Sequence, residues 1–197
     1  MTLGEWLRYA LDWSLDYFDW WSLDRWIKVN PMSKYGFRAY LAIIEDRIRC
    51  YKHECAFVFD IEGNIISKHL GTTHSVRFGK EEKKLFKDCI ATHNHPICAT
   101  FSSNDIEFFN KHSLREMRVV HEAGSSSICS QSNNKLDSLR ILVAYHNLQD
   151  NPDVLEFEEK MRDKDNNKYG AKYYHYQAIV CKLADELDLI YTEEVLT

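Results

Sequence analysis

The spacing of apolar residues changes twice along this chain, and that change limits the folds open to it. Near the start, apolar side chains recur at helical intervals; from about residue 55 to about 130 they form short runs between turn residues; from about 134 helical intervals return. Short apolar runs are typical of buried strands, and the flanking stripes are typical of amphipathic helices. The pattern therefore predicts an α/β (α+β) protein in which helices flank one central sheet.

Composition excludes several other classes of protein. The chain has 197 residues, of which 45% are hydrophobic and 28% charged, so a disordered or fibrous chain does not fit. A net charge of -5 argues against nucleic-acid binding, which needs a basic face. The start of the chain lacks a basic segment before an apolar run, so we predict no signal peptide and no membrane span. We expect a cytoplasmic protein whose six cysteines are reduced and pack as small apolar residues.

The first thirty residues predict one amphipathic helix. Trp6, Trp13, Trp20 and Ile27 recur every seven positions, and Pro31 ends the helix. This stripe packs either on the body of the protein or on a partner or second copy, because aromatic residues are enriched at interfaces.

The other elements follow from the same patterns. Predicted helices cover about 33–50, 80–90, 103–113, 135–148 and 153–163, and a long last helix carries an apolar stripe from Tyr176 to Ile190. Predicted strands cover 55–60, 65–70, 75–78, 90–92, 118–121 and 127–130, with a turn at Gly63 between the first two.

We divide the chain into an N-terminal helical extension (1–52), a core (53–131) and a C-terminal helical extension packed on the core (132–197).

One segment of the core carries residues suited to metal chemistry. It reads His93-Asn94-His95-Pro96 and, after a short loop, Ser102-Ser103-Asn104-Asp105. Residues two apart in a strand point to the same side, so His93 and His95 can bind one metal ion. Asp105 can complete a two-His, one-Asp set that leaves a fourth position on zinc for water. Ser102 and Asp105 also form a helix-start pattern, with the serine as N-cap.

This segment resembles the JAMM metalloprotease signature of the JAB/MPN family, in which His-x-His-Pro is followed by Ser-x-x-Asp. It is similar to the compact bacterial and phage members and to RadC-like proteins, and the stretch from Glu54 to Asn64 resembles their first core strand and hairpin. The resemblance covers 53–131 and implies an MPN-like (cytidine-deaminase-like) mixed sheet. Six residues separate His95 from Ser102, where the better-known members have seven.

The resemblance also implies roles for individual residues. It implies that His93, His95 and Asp105 bind Zn²⁺, that Glu54 acts on the metal-bound water as general base and then general acid, and that Ser102 donates a hydrogen bond to the developing oxyanion. The implied activity is that of a zinc metallopeptidase or isopeptidase acting on a protein or peptide, such as a ubiquitin-like conjugate. Since the resemblance excludes both flanks, we expect the flanking helices to determine specificity.

Other readings of the same residues stay open. Glu45 and Glu62 are the other nearby acids, in a predicted helix and a predicted turn. A non-catalytic MPN-like scaffold would use the acidic helical shell for assembly, although scaffolds usually lose the ligand set that this chain retains. A structural zinc site would instead use Cys89, His93, His95 and Cys98, and removing its metal would unfold the protein. A nuclease of the His-Asn-His type is disfavoured, because its three residues are normally dispersed and no basic groove is predicted.

Overall fold

The computed structural model describes residues 20–96, 99–122, 124–130, 138–164 and 171–195. Its helices are 20–29 (α1), Phe37–Ile48 (α2), Ser103–Lys111 (α3), Ser138–Gln149 (α4), Pro152–Lys164 (α5) and Ala171–Leu187 (α6). Its strands are Cys55–Phe59 (β1), Ile65–Leu70 (β2), Ile90–Asn94 (β3), Glu116–His121 (β4), Gly124–Ser130 (β5) and Leu189–Val195 (β6).

The six strands form one mixed sheet in the order β2-β1-β3-β4-β5-β6. β3 and β4 run parallel, and every other neighbouring pair is antiparallel. The prediction of an α+β protein with a mixed sheet flanked by helices is confirmed. No described helix combines the length and the apolar composition needed to cross a membrane.

Helices cover both faces of the sheet, each over its own apolar cluster. On one face, α1 and α2 pack over Phe57 and Phe59. On the other face, α3, α4 and α6 pack over Val58, Met117 and Ile128. Since neighbouring strand residues point to opposite faces, the continuous apolar run of β1 supplies both clusters.

The described end of the N-terminal stripe packs on the body of the protein. The Trp20 ring lies against Phe57, with centroids 5.3 Å apart, and Ile27 packs on the same cluster. Both contacts agree with the interpretation of the stripe as part of the core. Trp6 and Trp13 lie outside the described residues.

Two elements predicted between β2 and β3 are wrong. Residues 75–78 form no strand, because the chain enters a tight turn in which the Thr72 amide donates to the Ser75 carbonyl oxygen. Residues 80–90 form no α-helix and contain only a 3-10 turn at Glu82–Leu85. Asp88, at a φ of 63°, has the left-handed conformation that a right-handed helix cannot include.

The last predicted helix is too long. α6 ends at Leu187, Asp188 has a φ of 55°, and Ile190 lies in β6 rather than in the helix. β6 pairs with β5 along its whole length, so the chain after residue 131 adds a strand to the sheet as well as helices. The other predicted helices and strands are confirmed over the described residues, with ends that differ by four residues or fewer.

Candidate metal centre

β3 brings the two histidines of the motif to one side of the sheet. His93 lies opposite Ala56 in β1 and Val119 in β4, and Val119 belongs to the apolar cluster under α3, α4 and α6. His95 follows the end of β3, and its amide donates to the Val120 carbonyl oxygen at 2.8 Å, which continues the pairing with β4. Both histidines therefore point towards α3 from a buried position.

Asp105 reaches the histidines from the first turn of α3. Ser102 is the N-cap: its Oγ accepts a hydrogen bond from the Asp105 amide at 3.3 Å, and its own amide donates to Asp105 Oδ2 at 2.7 Å. The Ser102 hydroxyl also donates to Asp105 Oδ2 at 2.6 Å. The capping box therefore starts the helix and fixes the direction of the carboxylate.

The three predicted ligands converge. His93 Nε2 and His95 Nε2 are 3.1 Å apart; Asp105 Oδ1 is 3.4 Å from His93 Nε2, and Asp105 Oδ2 is 3.5 Å from His95 Nε2. Tetrahedral ligands about 2.0–2.1 Å from zinc lie roughly 3.3 Å from one another. The donor set and its spacing therefore fit a zinc ion.

Hydrogen bonding prepares His95 for this role. Its Nδ1 lies 3.1 Å from the Ala99 carbonyl oxygen, and since a carbonyl only accepts, Nδ1 carries the hydrogen. Nε2, the atom nearest Asp105, then keeps its lone pair when the ring is neutral. An outer partner of this kind is the usual way in which a protein orients a metal-binding imidazole.

Burial and charge oppose each other in this cluster. Burial acts to raise the pKa of Asp105, but His93 and His95 hold that pKa well below its usual range. Burial acts to lower the pKa of His95, while the hydrogen bond and charge of Asp105 raise it overall. Asp105 is therefore ionised at neutral pH, the state in which a carboxylate binds metal.

Glu54 stands beside the cluster, at the head of β1. Because Ala56 lies opposite His93, Glu54 lies level with His95 on the same face of the sheet. Its amide donates to the Thr72 carbonyl oxygen, and its own carbonyl oxygen accepts from Gly71, both at 2.7 Å. Burial raises the pKa of Glu54, an effect that His95 and His93 oppose. A raised pKa suits a carboxyl group that takes up and returns a proton.

The two other candidate acids are placed elsewhere. Glu45 accepts a hydrogen bond from Thr92 Oγ1 at 2.9 Å and pairs with Arg118 Nε at 2.6 Å, on the face of the sheet covered by α2. Glu62 is exposed in the turn at the opposite end of β1. Glu54 is therefore the acid that the structure brings to the histidines.

Cys89, one of the ligands in the structural zinc hypothesis, does not lie with the histidines. The Cys89 thiol precedes β3 and donates to the Leu85 carbonyl oxygen at 3.2 Å, whereas the histidines lie at the other end of that strand. Cys98 lies outside the described residues. Within the described part of the chain, the group that could hold a metal consists of His93, His95 and Asp105.

A cavity of about 520 Å³ adjoins the cluster and is also lined by Glu54 and Ser102. Its walls include residues that the sequence patterns did not indicate as site residues: Tyr145 and Gln149 from α4, and Tyr176 from α6. Tyr176 belongs to the apolar stripe of α6, and such a stripe is equally typical of core packing. Only the fold shows that these helices border the site.

Comparisons with known proteins identify no relative. No family model, no curated protein and no solved structure matches this chain.

Proposed function

We propose that the protein is a zinc-dependent metallopeptidase that hydrolyses a peptide or isopeptide bond. The observation that carries the proposal is the convergence of His93, His95 and Asp105, with Glu54 beside them, at the wall of a cavity. Two histidines and one carboxylate leave a position for water on zinc, as is typical of catalytic sites and not of closed structural ones. When bound, zinc supplies a Lewis acid that lowers the pKa of water towards about 7.

Glu54 moves the proton in this proposal. It takes a proton from the attacking water and returns it to the amine that leaves, acting first as general base and then as general acid. Its raised pKa, caused by burial, brings the carboxyl group closer to the pH at which both transfers are efficient.

Ser102 acts through Asp105. Its hydroxyl donates to Asp105 Oδ2 at 2.6 Å, which orients the carboxylate for the metal. The contact with the oxyanion that the family resemblance implies requires this hydroxyl group to turn from Asp105 towards the substrate.

The proposal extends to a relationship with the JAB/MPN family. It is supported by the order of the parts: an antiparallel β1–β3 pair, His-Asn-His-Pro at the end of β3, and a helix capped by Ser102 that carries Asp105. An MPN-like architecture, a protein or peptide substrate such as a ubiquitin-like conjugate, and a cytoplasmic location belong to the same proposal.

Metal analysis tests the ligand set. We expect purified protein to contain about one zinc ion per chain, because three donors already lie at tetrahedral spacing, and we expect His95→Ala to lose most of it. His74→Ala is the matched control, since His74 lines the same cavity outside the cluster. Full zinc content in His95→Ala, measured by atomic emission, would contradict the proposed site.

Cleavage of peptides tests the role of Glu54. Glu54→Gln should keep its zinc and lose roughly 100-fold or more in kcat, the usual contribution of a positioned acid or base. Exposed Glu62 provides the control, and Glu62→Gln should retain full activity. Undiminished turnover in Glu54→Gln would assign proton transfer to another group. A wild-type protein that binds zinc and cleaves no peptide or ubiquitin-like fusion would favour the scaffold function instead.

A further inference from the structure

The C-terminal helices complete the wall of the cavity beside the metal centre. α4 contributes Tyr145 and Gln149, and α6 contributes Tyr176. α4 packs against both α3 and α6, which brings these side chains to the helix that carries Asp105. Both helices follow the stretch that resembles the JAB/MPN family, so this wall belongs to the part of the chain that the resemblance leaves unexplained.

Three phenylalanines form part of the remaining wall, beside small and polar residues. Phe101 precedes α3, Phe108 lies within it, and Phe78 comes from the loop after β2. The rings of Phe78 and Phe108 are 5.6 Å apart, close enough to form one continuous surface. Tyr145 is buried, and its phenol adds an uncharged aromatic ring to this wall.

Apart from the proposed zinc ion, the cavity offers no strong cation to an acidic ligand. None of the described residues that line it is lysine or arginine, and its acidic side chains are Glu54 and Asp105. With zinc bound, the two carboxylates of Glu54 and Asp105 balance the two charges of the ion. A carboxylate or ammonium group placed among the aromatic rings would then lose hydration without gaining a net opposite charge. A volume of about 520 Å³ lies within the range of small-ligand pockets and holds one or two residues rather than a folded domain.

We propose that this cavity is a specificity subsite for a bulky, uncharged side chain, aromatic or large aliphatic, next to the scissile amide. The inference rests on the proposed function, because it takes the metal centre as the place of cleavage. Burial of a phenyl or isobutyl group against this surface provides binding free energy that glycine cannot provide. The substrate is accordingly an extended peptide segment with such a residue, and Tyr145 and Tyr176 help to select it.

A peptide series tests the subsite in the unaltered protein. The probes are internally quenched peptides of the form Gly-Gly-Xaa-Gly-Gly, with Phe, Leu, Gly, Asp or Lys at Xaa, and mass spectrometry locates the cleaved bond. The zinc-loaded protein should cleave the Phe and Leu peptides with kcat/KM roughly tenfold or more above the Gly peptide, and the Asp and Lys peptides no faster than the Gly peptide.

A variant links the preference to the C-terminal helices. Tyr176→Ala should reduce the ratio of kcat/KM for Phe over Gly by roughly fivefold or more, because it removes one aromatic wall. Leu142→Ala is the control, since Leu142 is 41% exposed on α4 and does not line the cavity. Thermal unfolding verifies that both variants fold, and an unchanged ratio in a folded Tyr176→Ala protein would remove Tyr176 from the subsite.

Binding to zinc-loaded Glu54→Gln separates the subsite from the chemistry. Calorimetric titration should show that the Phe peptide binds roughly tenfold or more tightly than the Gly peptide. Equal binding of both peptides, or equal kcat/KM in the unaltered protein, would overturn the subsite. Preferential binding of the Phe peptide without cleavage of any peptide by the unaltered protein would support the subsite and overturn the hydrolase proposal.

Discussion

A single hydroxyl group links the folding of α3 to the chemistry of the candidate site. Ser102 Oγ accepts from the Asp105 amide and donates to the Asp105 carboxylate. The same residue therefore satisfies a free amide at the helix start and holds the Asp105 carboxylate, a candidate metal ligand, towards His93 and His95. Asp105 would stabilise the start of α3 even without a metal, because an acidic residue is favourable in the first turn of a helix. Its approach to the two histidines depends in addition on where β3 ends.

His121 makes stability sensitive to mildly acidic pH. It is fully buried at the end of β4, with its ring 5.4 Å from that of Tyr173. Burial, together with the charges of His95 and Arg49, lowers its pKa to about 4. An unfolded histidine titrates near pH 6.5, so as the pH falls the unfolded chain takes up this proton first. The stability contributed by neutral His121 is complete above about pH 6.5 and is lost as the pH falls towards 4.

We expect metal-free protein to lose about 2 kcal/mol of its free energy of unfolding between pH 7 and pH 5 through this residue. Urea unfolding at both pH values measures the loss. In His121→Gln, the free energy of unfolding should fall by about 2 kcal/mol less between pH 7 and pH 5 than it does in wild type. His146→Gln, at an exposed position of α4, should show the same fall as wild type. The same dependence in His121→Gln and wild type would assign the effect to other groups.

Local patterns indicated the candidate metal ligands, and only the tertiary structure located their neighbours. His93 and His95 share a side because strand residues alternate, and Asp105 is placed by the helix cap. Glu54 lies beside them through the β1–β3 register, which only the resemblance suggested in advance. Tyr145 and Tyr176 reach the cavity through the packing of helices that are distant in sequence, and no local pattern records such packing.

At the scale of elements, a buried ion network fixes α2 to the sheet. Glu45 of α2 pairs with Arg118 of β4 at 2.6 Å, and Arg118 also pairs with Glu116 at 3.0 Å. Arg38, at the start of α2, makes two hydrogen bonds to Glu116, at 3.0 and 2.8 Å. Three of these side chains are at most 12% exposed, whereas that of Arg38 is 65% exposed.

Arg118→Met should lower the free energy of unfolding by about 3–5 kcal/mol, because it leaves two buried carboxylates without this partner. Arg38→Ala should cost about 1 kcal/mol or less, since Arg38 is largely exposed. Urea unfolding of both variants measures the difference. Losses of equal size would show that the buried part of the network does not hold α2 in place.

The error at the last helix shows why element boundaries depend on distant partners. Leu183, Leu187 and Ile190 continue a helical spacing, so the apolar stripe alone favours a longer α6. The chain instead changes direction at Asp188, and β6 pairs with β5. Pairing between strands so far apart in sequence is a property of the whole sheet, and it prevails over a local helical period.

At the scale of the whole molecule, two apolar clusters form the core, and the candidate metal centre adjoins one of them. One cluster packs under α1 and α2 and the other under α3, α4 and α6. The candidate metal centre consists of three polar side chains, His93, His95 and Asp105, near one end of β3. Most of the buried apolar surface, and so most of the driving force for folding, does not require a metal.

Removal of zinc by a chelator should therefore leave a folded protein. We expect an unchanged far-UV circular dichroism spectrum and a cooperative urea transition, with zinc raising Tm in proportion to the logarithm of its concentration above Kd. Loss of the cooperative transition on chelation would instead favour a structural zinc site. His95→Ala provides the control, since its unfolding should not respond to added zinc.

The position of β6 has a consequence for synthesis of the chain. β5 ends at Ser130, and β6, the strand that pairs with its outer edge, begins at Leu189. The ribosome must therefore make α4, α5 and α6 before the outer edge of β5 can pair. At ribosomal rates of about 5–20 residues per second, the outer edge of β5 stays open on the nascent chain for roughly 3–12 s. During that interval it offers unpaired backbone groups to other unfinished chains. This edge is the place where we expect cotranslational chaperones to be needed.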